Sequence, residues 1–145
     1  DMAFTGNFMC TSFKVEILKA VHNFTLSTGN TFNIAMYTNS ASFTAATTAY
    51  TTGNEVTGTG YTAKGYALTN VTPVSTSTTA FTDFGDATWG SSTITARGAM
   101  IFNDTATADP SVVILDFGSD KSSSSGDFTI VFPTGDATSA IIRIA

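Results

Sequence analysis

The sequence has little charge. Only 12% of its 145 residues are charged, six Lys plus Arg against eleven Asp plus Glu, for a net charge of −5, whereas ordinary domains carry about 25%. The six cations are scattered, so the chain has no basic stripe that could follow a phosphate backbone. We therefore expect no nucleic-acid binding.

Cysteine and histidine each occur once. A single cysteine, Cys10, excludes an intrachain disulfide and a thiolate zinc site. A single histidine, His22, excludes the metal sites that need several imidazole ligands. No metal-ligating or cofactor-binding residue is predicted.

Long apolar runs are also missing. No stretch approaches the about 20 apolar residues that a membrane-spanning helix needs. The start of the chain has no charged segment followed by an apolar one, as a secretory signal peptide has. We expect neither a membrane association nor export, and the length predicts one domain, 1–145, with a core of its own.

The polarity that is present comes mostly from Thr, Ser and Asn. Threonine favours strands because its branched Cβ suits a pleated, half-buried surface. A surface of hydroxyls and amides can also be covered by a partner without burying many charges. The composition therefore predicts a β-rich domain that is part of a larger assembly.

Hydrophobic spacing separates a short helical part from a long β part. From Phe13, apolar residues recur at i, i+4, i+8 and i+11, which predicts an amphipathic helix over about 11–23. Between residues 32 and 145 the pattern becomes alternating, and turn clusters interrupt it at short intervals. This predicts a mainly β fold, an antiparallel β-sandwich or barrel-like domain with one N-terminal helix.

Seven runs are predicted to be strands, and the first of them alternates as a half-buried strand does. Pro73, inside the second run, indicates an edge strand or a bulge because proline cannot donate to a strand ladder. The predicted strands are 31–38, 66–74, 78–84, 92–103, 111–118, 127–132 and 140–145.

The segment 39–62 is rich in Thr, Ala and Gly and weakly patterned. It predicts a long loop with one short strand near 55–57, and loops of this length are usually functional. Its only charged residue is Glu55, so a partner could cover it at little electrostatic cost. We expect this loop to be disordered in isolation, to contact a partner, and to be removable with little change in melting temperature.

Residues that could carry catalysis are few. His22 would need a nucleophile and an orienting carboxylate nearby, and its place near the predicted helix end favours a structural or solvent-facing role. Asp83 and Asp86 could hold a cation or act as an acid–base pair, but aspartates in turns commonly bond their own backbone. No catalytic residue is predicted.

Three motif-like stretches are interpreted as ordinary loop sequence. The segment 116–127 lacks the third-position ligand and final Glu of a calcium loop, and lacks the context of a kinase DFG motif, so we predict a turn. Gly58 and Gly60 have no strand–turn–helix unit around them and do not predict nucleotide binding. Three N-x-T sequons are expected to arise by chance and to be unmodified: Asn23, Asn70 and Asn103.

Arg97 lies in a predicted strand, on the face that also carries Thr95, Ala99 and Ile101. The first expectation is an ion pair that pins a turn such as 84–86, and a subunit contact is the second. Catalysis by Arg97 is the remotest alternative. Together with Trp89, Arg97 is expected to hold the sheet and its turn together.

Several stretches resemble a family of small tailed-bacteriophage proteins: MAFTGNFMCTSFKVEILKAVHNF, AMYTNSASFTAATTAY, NEVTGTGYTAKG, TWGSSTITARGAMIFN and LDFGSDKSSSSGDFTIVFPTGDATSAIIRI. The resemblance covers nearly the whole chain. Members are virion-associated or uncharacterised phage proteins with no catalytic motif to transfer. It implies a structural virion protein, made in the bacterial host cytoplasm, with the major capsid protein or other virion proteins as partners.

Composition and resemblance together predict a non-enzymatic capsid decoration or cement protein. Decoration proteins commonly form trimers over local symmetry axes, so a homo-oligomer, with a trimer favoured, is expected. One alternative is a tail, neck or fibre component of the virion. An alternative of another class is a carbohydrate- or receptor-binding β-sandwich with Trp89, Tyr61 or Tyr66 as stacking platforms.

Overall fold

The computed structural model describes residues 4–145. No helix in this part of the chain is long and apolar enough to cross a membrane. The described elements, in chain order, are β1 (Phe8–Met9), α1 (Thr11–Leu18), β2 (Phe32–Tyr37), β3 (Tyr66–Ala67), β4 (Asn70–Thr76), β5 (Thr79–Phe84), β6 (Ala87–Ser92), β7 (Thr95–Asn103), β8 (Ser111–Ser122), β9 (Gly126–Ile130) and β10 (Ile142–Ile144).

The strands form three antiparallel sheets. The largest has the order β1-β8-β7-β2-β3, a second has the order β10-β5-β4, and β6 pairs with β9. The small sheets and the single helix surround the large sheet in a sandwich-like arrangement. The predicted mainly β fold with one N-terminal helix is confirmed.

The central strands of the large sheet are buried on both faces. All six residues of β2 are buried, and so is β7 from Gly98 onward. On one face Phe32 stacks on Phe24 at 4.3 Å between ring centroids and also contacts Phe84. On the other face Tyr37 packs edge-on against Phe43 at 4.8 Å. The prediction that the first strand is half-buried was therefore wrong, because segments outside the sheets cover its second face.

Helix α1 ends earlier than its apolar pattern predicts. The Ala20 amide donates to the Ile17 carbonyl at 3.2 Å, and the Val21 amide donates to the Glu16 carbonyl at 3.0 Å. With Ala20 at φ 60°, this is a Schellman end, in which a left-handed residue closes the last turn. The predicted helix over 11–23 is therefore wrong in its end, which is Leu18.

The apolar stripe that predicted the longer helix is divided between two structures. Phe13 is buried from α1, whereas Phe24 is buried from the loop that follows. Leu18, which flanked the predicted stripe, is 88% exposed. Helical spacing continued beyond the helix by coincidence, because the loop returns to the same part of the core.

Two segments differ from the prediction. Residues 87–92, most of which lie between the predicted strands 78–84 and 92–103, form β6, which pairs with β9. Strand β8 continues through the DFGSDKS sequence to Ser122, because a bulge absorbs the extra residues: Asp116 lies opposite Gly98, and Lys121 lies opposite Ala96. Pro73, by contrast, is on edge strand β4 within a register shift, which confirms its predicted position.

Replacing Ala20 with Gly is expected to raise the free energy of unfolding by about 0.5–1 kcal/mol. A left-handed residue with a Cβ costs about 1–2 kcal/mol, and part of the gain is lost to the greater entropy of unfolded glycine. The control is Ala80→Gly, at an exposed site of β5 whose backbone is not left-handed, which should lower stability because glycine weakens a strand. Chemical denaturation that moves both variants in the same direction would contradict the assigned helix end.

Candidate functional site

His22 lies in a buried polar cluster just after α1. Its side chain is fully buried, with Nε2 3.0 Å from Glu16 Oε1 and Nδ1 3.1 Å from Asn103 Nδ2. A ring with its proton on Nε2 donates to Glu16 and accepts from Asn103. Asn103 Nδ2 also donates to Asn30 Oδ1 at 3.1 Å. Both ring nitrogens are engaged, so the cluster ties the helix end to β7 and leaves neither nitrogen for a nucleophile.

Cys10 directly precedes α1 and is completely buried. Burial raises the pKa of the Cys10 thiol, and this effect outweighs the hydrogen bond from Ser111. The thiolate is the reactive form of cysteine. The surroundings of Cys10 therefore favour the unreactive thiol.

A second buried cluster is centred on Glu55. Its Oε1 accepts from the Tyr50 hydroxyl and its Oε2 from the Tyr61 hydroxyl, both at 2.6 Å, and Oε2 also accepts from the Lys64 amide at 2.9 Å. Tyr61 Oη in turn accepts from the Met36 amide of β2 at 2.9 Å. The carboxylate thus joins three points of the segment after β2 to one another and to the large sheet.

The surroundings in this cluster raise the pKa values of its two tyrosines, Tyr50 and Tyr61. Burial, the hydrogen bond to Glu55 and the charge of that carboxylate raise the pKa of Tyr50 to about 12. Burial and Glu55 also raise the pKa of Tyr61 above its usual range.

Beside the Glu55 cluster, the Lys64 ammonium lies 2.8 Å from Asp104 and 3.0 Å from Asp109, and these carboxylates raise the pKa of Lys64.

The segment 39–62 is packed against the body of the protein. It forms isolated bridges at Ala49, Glu55 and Thr59 instead of the predicted short strand, and Phe43 and Val56 are buried. From this packing we expect that deleting the segment lowers the melting temperature, in contrast to the small change expected from the sequence, because the deletion would uncover one face of the large sheet.

A third cluster holds the start of the described chain. Arg97 forms an ion pair with Asp116 on the neighbouring strand β8, and Asp116 also accepts from the Gly6 amide at 2.9 Å. The Phe4 ring lies 5.7 Å from the Arg97 guanidinium. That ring also covers Gly98 so closely that a Cβ there would clash with it. The predicted intrachain ion pair of Arg97 exists, but its partner is Asp116 and not a residue of 84–86.

The other residues that were considered as candidates have structural roles. Asp83 Oδ1 accepts from the Phe84 amide at 2.8 Å, and Asp86 Oδ1 accepts from the Phe132 amide at 3.1 Å. Gly58 lies where a Cβ would approach the Thr93 carbonyl to 2.6 Å. Among residues 4–145, no group of three or more His, Cys, Asp or Glu side chains is placed to hold a metal ion.

Trp89 is 5% exposed and enclosed by other rings. It stacks on Tyr61 at 6.1 Å and meets Tyr66 and Phe128 edge-on at 5.6 and 6.2 Å. Its indole therefore joins the paired strands β6 and β9 to the segment after β2.

An open groove of about 580 Å³ lies between β8 and the β9 region. We call it the β8–β9 groove. Its apolar lining includes Leu115, Phe117, Val131 and Ile141, and Asp127 is among its polar residues. Val131 is 72% exposed. Sequence reasoning did not find this surface, because its walls come from residues far apart in the chain.

Comparison with known proteins identifies no relative. No protein-family model, no curated protein and no solved structure matches the chain.

The Glu55 cluster predicts a decline of stability at alkaline pH. Because the folded-state tyrosine pKa values are raised, the unfolded state releases its protons first, and the unfolding free energy falls as pH rises above about 10. Glu55→Gln should lose about 1.5–3 kcal/mol at neutral pH. Its alkaline decline should be shallower, since burial still raises the tyrosine pKa values but the contribution of the Glu55 carboxylate is gone. Denaturant unfolding at several pH values measures both effects. If the unfolding free energy falls with alkaline pH equally steeply in wild type and in the variant, the role assigned to Glu55 is contradicted.

Arg97→Ala is expected to lower the unfolding free energy by about 1.5–3 kcal/mol, because it removes a charge-assisted hydrogen bond. Burial opposes ionisation of Asp116, but hydrogen bonds from the Gly118 amide, Arg97 and the Gly6 amide outweigh it and hold the pKa of this carboxyl below its usual range. The loss should therefore shrink as pH falls below about 4 and Asp116 is protonated. The control is Arg143→Ala, an exposed arginine that donates to a carbonyl, which should change stability by less than about 0.5 kcal/mol. Equal losses in the two variants would contradict the stabilising role of the ion pair between Arg97 and Asp116.

Proposed function

We propose that this chain is a structural protein of a tailed-bacteriophage virion that decorates the head shell and stabilises it. The proposal rests on the family resemblance of the sequence and on the kind of surface that the fold presents. The described polar groups best suited to chemistry are committed to holding the fold together, as the Glu55 and His22 clusters illustrate.

The observation that carries the proposal is the exposed, uncharged surface of edge strand β4. In β4 every residue after Asn70 is exposed, and these residues are Val, Thr, Pro and Ser. No charged residue occurs from residue 65 to residue 82. Such a surface can be buried against a protein shell without the cost of desolvating charges.

Two alternatives make different predictions. A tail, neck or fibre component would present the same kind of surface and differs only in its place on the particle. A carbohydrate-binding module needs an exposed aromatic face, but Trp89 is buried and the Tyr61 hydroxyl is engaged by Glu55. That leaves Tyr66, which is partly buried against Trp89, so we favour the virion role.

The proposed partners are the major capsid protein or other virion proteins, and the proposed state is a homo-oligomer, with a trimer favoured. A trimer suits a protein that sits over local three-fold positions of a shell.

Immuno-electron microscopy of particles made in cells that naturally produce this chain tests the proposal. Antibody against the purified protein should label the head at many regularly spaced positions. Label on the tail or neck would support the first alternative. Particles that carry no label, although the protein is present in the lysate, would contradict the virion role.

A further inference from the structure

The loop between β7 and β8 holds two consecutive residues in a left-handed backbone conformation. Ala108 has φ 68° and Asp109 has φ 47°, and Pro110 follows them. A left-handed alanine is strained by its Cβ, and a residue before proline favours extended conformations because other conformations bring it against the proline ring. Strained backbone is concentrated at sites that have a function. Breaking the peptide bond between Asp109 and Pro110 would remove the clash with the ring.

The surroundings hold this peptide bond from both sides. The Asp109 carbonyl oxygen accepts from the Tyr50 amide at 3.0 Å. A donor at a carbonyl oxygen stabilises the negative charge that develops there when the carbonyl carbon is attacked. Pro110 is buried and forms a β-bridge with Ala49, and its carbonyl accepts from the Asn103 amide at 2.9 Å. The bond is therefore fixed between the segment 39–62 and the start of β8.

The side chain of Asp109 supplies a nucleophile within the same residue. An aspartate is ionised at neutral pH, and attack of its carboxylate on its own carbonyl carbon closes a five-membered ring. The Lys64 ammonium lies 3.0 Å from Asp109 Oδ2, and the Asp109 side chain is 27% exposed, so water can reach it. A proline nitrogen is more basic than an ordinary peptide nitrogen and leaves more readily after protonation. Of the three prolines, only Pro110 follows an aspartate.

We propose that the folded chain cleaves its own peptide bond between Asp109 and Pro110. A carboxylate oxygen of Asp109 bonds to the carbonyl carbon of Asp109, and the negative charge on the carbonyl oxygen faces the Tyr50 amide. The bond from that carbon to the Pro110 nitrogen then breaks, and the nitrogen keeps the electron pair and takes a proton from solvent. One water molecule opens the resulting cyclic anhydride and leaves two carboxylates on Asp109. The net reaction is a hydrolysis, with no oxidation or reduction.

The cleaved protein is expected to stay in one folded body. The fragment 110–145 contains β8, and β8 pairs with β1 and β7 of the fragment 1–109. The cut therefore becomes visible only under denaturing conditions. This inference is independent of the virion role, because it concerns the purified chain alone.

Intact-mass spectrometry under denaturing conditions tests the cleavage after incubation of the purified protein. At about pH 6 carboxylates are still ionised, while protons for the leaving nitrogen are more plentiful than at neutral pH. The masses of 1–109 and 110–145 should appear. The reference is the same chain kept unfolded in urea at the same pH. The folded chain should be cleaved about ten-fold faster, because the strain of one left-handed residue corresponds to about that factor in rate.

Substitutions on both sides of the bond test the assigned groups. Asp109→Asn keeps a residue that tolerates a left-handed backbone, and Pro110→Ala replaces the leaving nitrogen by an ordinary one. Each should slow cleavage at least about ten-fold, because the nucleophile or its leaving group is gone. The matched control is Asp104→Asn, which removes the other carboxylate beside Lys64 and should be cleaved like wild type. A folded wild type that stays intact, a rate no faster than in urea, or an Asp109→Asn variant cleaved at the wild-type rate would each overturn the inference.

Discussion

The fold depends on one constraint, which is that the middle strands of the large sheet are apolar on both faces. Strands β2 and β7 bury side chains in both directions, so neither face can be left to solvent. Phe24 and Phe84 cover one face, and Phe43 covers the other. The core is therefore covered by the small sheets, the loop after α1 and the segment 39–62, and it would be incomplete without them.

The segments that cover the large sheet without regular secondary structure must be held in place. Buried polar clusters hold them. Glu55 attaches the segment after β2, the pair of His22 and Asn103 attaches the end of α1, and Arg97 with Asp116 attaches the start of the described chain. A buried carboxylate or amide is costly unless all its bonds are made. These clusters consequently specify one placement for each segment.

Local sequence patterns predicted the fold class, most strands and the position of Pro73, because these depend on alternation and on the missing amide of proline. The end of α1 was not predictable, since Ala20 adopts a conformation that usually requires glycine. The Glu55 cluster depends on contacts across the fold, although a lone acidic residue between Tyr50 and Tyr61 was a usable signal of a buried, hydrogen-bonded carboxylate. The β8–β9 groove combines distant segments, so periodicity could not identify it.

The central claim is that the segment 39–62 belongs to the folded core. Native-state hydrogen exchange of the Val56 amide tests it most directly, because this amide donates to the Met36 carbonyl of β2 at 2.9 Å. Buried elements that open only on global unfolding exchange at the slowest rates. The account predicts that the Val56 amide exchanges as slowly as the amides of β2 and β7. Rapid exchange at Val56 while β2 and β7 stay protected would contradict it.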